Sequence, residues 1–121
     1  MLQLTPQSVI YIATCPVDFR KGIDGLAGFC KSSFNMDPFT GALFLFYNKN
    51  KNAFKILFYD GQGFILVTKR LSQGKFQYQN QTIKGINYHQ ICHRALQVLI
   101  NNGNIHDVKF SNNWRSIKQP F

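Results

Sequence analysis

The chain has 121 residues, 45% hydrophobic and 15% aromatic, enough for one domain with a real core, and no window approaches the roughly 18 consecutive apolar residues of a membrane helix. Fourteen Lys and Arg face five acids, all Asp, for a net charge of +9, a balance that attracts polyanions and above all nucleic acid. Three widely separated cysteines, Cys15, Cys30 and Cys92, offer no C-x-x-C pair, which excludes a zinc ribbon or a disulfide framework and suits reduced thiols in a cytoplasmic protein.

The N-terminal segment lacks the basic n-region and long apolar h-region of a signal peptide. "SVIYIA" (8–13) alternates and is β-branched, so it predicts a strand that Pro16 ends. Asp18 then stands where an N-cap is expected, and Phe19, Ile23, Leu26, Ala27, Cys30 and Phe34 recur at helical spacing, predicting a helix over 18–34. Pro38 and Gly41 close it. Inside this helix Gly22, Gly25 and Gly28 each cost roughly 1 kcal/mol relative to Ala. Two explanations stand: the glycines let the helix lie tightly on an aromatic sheet, or they let a ligand approach its backbone. Arg20 and Lys21 lie in the predicted first turn, where the helix dipole disfavours cations unless an anion docks there.

Three strands follow in quick order, "ALFLFYN" (42–48), "AFKILFYD" (53–60) and "FILVTKR" (64–70), with a fourth short one, "FQYQ" (76–79). Their short loops make them antiparallel neighbours in a meander. Neither face of 43–47 or of 53–59 is plainly polar. One face takes the helices; the other, with Leu57 and Tyr59, is semi-apolar and needs a cover from the tail, a second copy, another protein or nucleic acid. "NYHQICHRALQVLINNG" predicts a second helix over 88–102, with Asn87 as cap and Gly103 as stop. The expected fold is therefore α+β: a single domain (1–104) with a mainly antiparallel four- to five-stranded sheet packed by two helices. A polar tail (105–121) follows, with "HDVKF" as its one candidate strand.

Lys49, Lys51, Lys55, Lys69, Arg70 and Lys75 fall within 27 residues that hold one acid, Asp60, and they interleave with Tyr47, Tyr59, Phe76 and, just beyond, Tyr78. Cations hold phosphates and aromatic faces stack on unpaired bases, so with Arg20 and Lys21 these six are the candidate nucleic-acid-binding residues. The plain alternative is a solvated hairpin whose lysines discourage edge pairing. His89 and His93 stand at i and i+4, but they lack an acidic base between them and a third ligand, which argues against a metal site. Each Asp outside the tail has a turn or helix-end duty, and no nucleophile–base pair has a recognisable context. The residues therefore predict no catalytic centre, no metal and no cofactor.

The stretches "PVDFRKGIDGLAGFC" and "DPFTGALFLFYNKNKNAFKILFYDGQGFILVTKRLSQGKF" resemble the small Orf2-like accessory proteins (TnpB) of bacterial insertion sequences of the sixty-six family. The similarity is collinear from about Leu4 to Phe76 and rests on four blocks, Val17–Leu26, Asp37–Phe46, Tyr59–Phe64 and Lys69–Phe76. Beyond Gln77 it weakens; "QYQNQ" stands where members carry an aromatic-proline step. The resemblance implies a non-catalytic accessory role in transposition beside the element's transposase, with DNA as the partner that its setting supplies. The alternative is a protein–protein adaptor that docks the transposase, or a homo-oligomer, through the semi-apolar sheet face without touching DNA.

Overall fold

The computed structural model describes residues 7–76 and 85–101. The elements run β1 (Ile10–Ala13), α1 (Ile23–Ser33), a 3-10 turn (Pro38–Thr40), β2 (Leu43–Tyr47), β3 (Ala53–Tyr59), β4 (Phe64–Arg70), β5 (Tyr88–Ile91) and α2 (His93–Ile100). The five strands form one mixed sheet in the order β4-β3-β2-β1-β5. β2, β3 and β4 are the antiparallel meander that their short loops predict. β1 runs parallel to β2, because α1 lies between them in the chain and returns it to the same end of the sheet. β5 closes the other edge antiparallel to β1.

Both faces of the sheet are covered, which explains why β2 and β3 alternate apolar with apolar. On one face Ile10, Ile12, Leu43, Leu45, Phe54, Ile56 and Phe58 meet Ala95, Leu96 and Leu99 of α2, together with Leu71 and Phe76. On the other, Ala13, Phe44, Phe46 and Leu57 meet Leu26 and Cys30 of α1 and Phe34 behind it. Phe34 stacks on Phe46 at 5.9 Å between ring centroids, and Phe29 meets Phe46 edge-on at 5.8 Å. The semi-apolar face thus has its cover within the chain: α1 leaves Leu57 with 0% exposure.

Four expectations change. Asp18 does not cap α1. Its carboxylate accepts from the backbone N–H of Arg20 at 2.9 Å, and its C=O accepts from Lys21 N–H at 3.1 Å, which builds a separate turn. The N-cap falls four residues later than expected, at Gly22, which is extended and makes no side-chain bond. Second, the glycines do not bring α1 close to the sheet. A Cβ at Gly22 or Gly28 would meet nothing within 4 Å, and one at Gly25 would meet only the Lys21 side chain, at 3.1 Å. Third, Tyr88–Ile91 is a strand, not a first helical turn. The sheet edge offered by β1 outweighs the weak helix propensity of "YHQI". Cys92 is the N-cap of α2, its Sγ accepting from Ala95 N–H at 3.4 Å, while the Asn87 side chain donates to Ser33 C=O at 2.6 Å in the last turn of α1. Fourth, Phe76 is a buried anchor outside any strand. Residues 77–79 of the expected "FQYQ" strand, Gly103 and the "HDVKF" strand lie outside the described residues.

Candidate nucleic-acid interface

Topology gathers the candidate cations at one end of the sheet. β1 and β2 finish there, β3 starts there, and β4 finishes there, since Ala53 pairs with Arg70 and Phe54 with Lys69. The β2–β3 loop carries Lys49 and Lys51. Its ends are locked by Asn48, whose Oδ1 accepts from Asn52 N–H at 3.0 Å and Ala53 N–H at 3.2 Å, and whose Nδ2 donates to Asn52 Oδ1 at 2.5 Å. Lys51 takes a left-handed backbone, φ 58°, and its N–H donates to Asn48 C=O at 3.0 Å. The 71–76 turn, with Lys75, is bonded to this loop: Leu71 N–H donates to Asn52 C=O at 2.8 Å and Phe76 N–H to Lys51 C=O at 2.7 Å. The two basic loops are therefore one main-chain-linked platform.

The segment before α1 joins the same end. Val17 N–H donates to Tyr47 C=O at 3.0 Å. The ammonium of Lys55 donates to Phe19 C=O and to Lys21 C=O, both at 2.9 Å, and sits 4.7 Å above the Phe19 ring. Arg20 forks onto Asp18, with Nη2 2.7 Å from Oδ2 and Nε 3.0 Å from Oδ1, while its side chain stays 91% exposed. That side-chain contact, helped by the Arg20 N–H, holds the Asp18 carboxyl well below the usual carboxylate range.

The eight candidates thus differ in duty. Lys55 and Lys69 direct their ammonium groups at main-chain carbonyls; Lys69 donates to Ile100 C=O at the C-terminus of α2, where the helix dipole favours a cation. Arg20, Lys49, Arg70 and Lys75 are exposed, and Lys21 and Lys51 half-exposed. Lys51 also lies 5.9 Å from the centroid of the Tyr47 ring. Sequence spacing alone hid the carbonyl partners of Lys55, although its place between Ala53 and Leu57 on one strand face was the available signal.

Two of the acids, Asp37 and Asp60, lie away from these cations, while Asp18 stays beside Arg20. Asp37 caps the 3-10 turn, accepting from Phe39 N–H at 2.9 Å. Asp60 builds the β3–β4 turn, and the N–H groups of Gln62 and Gly63 lower its carboxyl. Gly61, at φ 100°, supplies the left-handed residue that turn needs. Both acids lie at the far end of the sheet. A feature that sequence reasoning missed is there too: Phe39, 50% exposed, packs at 4.9 Å on both Tyr59 and Phe64, with Lys31 5.8 Å from its centroid. Tyr59 therefore belongs to this cluster and not to the basic end.

His89 is in β5 and His93 opens α2, so they do not share a helix face. Among the described residues no group of three His, Cys, Asp or Glu could hold a metal ion, and no helix is long and apolar enough to cross a membrane.

The fold and its charge define a small, basic α+β domain with a mixed five-stranded sheet and, among the described residues, most of its exposed cations at one end. The chain belongs to the family of IS66 Orf2-like proteins, whose profile matches residues 8–109 and so extends through α2, beyond the blocks that end at Phe76. The family's description connects it with the IS66 insertion sequence. Two uncharacterized proteins of Sinorhizobium fredii are similar: y4jC is 43% identical over 67 residues, 55% of this chain and 57% of its own length. The other, y4hO, is 37% identical over 67 residues, 55% of this chain and 58% of its own length. The chain thus aligns with little more than half of each relative. No solved structure matches it.

Proposed function

We propose that this protein is a non-catalytic accessory factor of transposition that binds DNA through the basic end of its sheet and assists the transposase of its element. One observation carries the reading: two loops bearing Lys49, Lys51 and Lys75 are joined by main-chain hydrogen bonds beside Arg70 and the Arg20–Lys21 turn, with Asp37 and Asp60 at the opposite end and Asp18 paired with Arg20. A fixed cation array whose one loop acid, Asp18, is forked by Arg20 attracts and orients phosphates. The uncapped N-terminus of α1, directly after Lys21, adds backbone N–H groups of the same sign.

The test compares wild type with a Lys49→Gln, Lys51→Gln, Arg70→Gln, Lys75→Gln variant in DNA binding and in transposition frequency. Loss of both with an unchanged melting temperature supports the reading; full DNA binding by the variant refutes it. Among the described residues the adaptor reading keeps a surface elsewhere, because the sheet face it relied on lies under α1. That surface is the Phe39–Tyr59–Phe64 cluster, half-open and remote from the basic end. A Phe39→Lys variant that binds DNA normally but fails in transposition would assign it to a protein partner.

A further inference from the structure

We infer that the basic end takes the paired, double-stranded form of its nucleic acid and grips the backbone without stacking on bases; this rests on the DNA-binding reading above. Binders of single strands need exposed aromatic faces beside their cations, each worth roughly 1–3 kcal/mol per stacked base. The sequence interleaves rings with cations, but among the described residues the fold takes those rings away; Tyr78 lies outside them. Tyr47 and Phe76 are each 6% exposed and belong to the core beneath α2, where Phe76 packs on Phe54 at 4.8 Å. Phe19 is half-buried with the Lys55 ammonium over its ring, and Tyr59 lies at the opposite end. Among the described residues the basic end presents cations, Asn side chains, main chain and the Arg20-paired carboxylate of Asp18.

Rigidity points the same way. Lys49 and Lys51 ride on a loop closed at both ends by Asn48, and the Lys75 turn is bonded to that loop twice. A fixed array matches a stiff, regular lattice of phosphates, whereas a flexible strand must be ordered onto it at an entropic cost. A duplex also condenses counterions more strongly, about 0.9 released per phosphate contacted against about 0.7 for a single strand. Over about five contacts the difference of about 0.2 each gives about tenfold tighter binding to the duplex at about 0.1 M salt.

The experiment is a fluorescence-anisotropy titration of the full chain with a short labelled duplex, with each of its strands alone and with oligothymidine, across a salt series. The expected result is binding to the duplex about tenfold tighter than to either strand, with a log–log salt slope on the duplex near −4.5. A Lys49→Gln, Lys75→Gln variant should lower that slope in magnitude by about 2 and keep the duplex preference. Strands or oligothymidine bound as tightly as the duplex would overturn the inference while leaving the DNA-binding reading intact. No binding of any of them would overturn both.

Discussion

Replacing Lys55 by Met separates a structural lysine from a phosphate-binding one. Met keeps most of the aliphatic stem and removes the ammonium. Two main-chain acceptors then lose their donor, Phe19 C=O and Lys21 C=O, each bonded at 2.9 Å. A hydrogen bond to a charged group contributes about 1.5–3 kcal/mol net, and the cation over the Phe19 ring adds about 0.5 kcal/mol. Lys55 is half-exposed, so water reaches the carbonyls after the change and the lower end applies, giving a total near 2–4 kcal/mol. At this chain length that lowers the melting temperature by roughly 6–15 °C. Urea unfolding of Lys55→Met beside Lys49→Met checks the size. The first should be destabilised by that amount and keep the duplex salt slope; the second should keep its stability and lose about 1 in slope. A stability loss under about 0.5 kcal/mol for Lys55→Met would refute the argument that this lysine anchors the 18–21 turn.

Three further changes probe other parts of the account. Gly28→Ala places a methyl in open space on a helix with ordinary dihedrals, so thermal unfolding should show a gain of about 0.5–1 kcal/mol; a loss would mean that this glycine serves the packing after all. Leu57→Asp buries a carboxylate beneath α1 and should unfold the chain, seen as lost near-ultraviolet dichroism. A folded variant that merely fails to self-associate would instead restore the adaptor surface. Thiol titration at about pH 8 should find Cys15 reactive and Cys30 silent until denaturant is added, because burial pushes the Cys30 thiol up to about 12 and the thiolate is the reacting form.

Much of the fold was legible because the meander announces itself: apolar runs of strand length separated by "NKNKN" and "DGQG" leave little else for residues 42–70 to do. The same lack of a polar face calls for a cover on each side but does not say what supplies it; α1 and α2 do. β5 was hidden because the partners of Tyr88–Ile91 are 75 to 81 residues away, at β1, and nothing local in "YHQI" announces that pairing. Asp18 misled for a chemical reason: the carboxylate that caps a helix also builds a turn, and Arg20 two residues later secures the turn. The site divides likewise. Cation positions were readable, but which end of the sheet they share is a consequence of pairing. The carbonyl partners of Lys55 and Lys69 lie 34 to 36 and 31 residues away in sequence.

The most direct test is a titration of isotope-labelled protein with duplex DNA, followed by backbone amide chemical shifts at low salt. The account predicts salt-sensitive changes confined to residues 20–25, 48–52 and 69–76, with the 37–41 and 59–64 segments unmoved. Changes centred on Phe39 and Phe64, or none up to duplex excess, would contradict it.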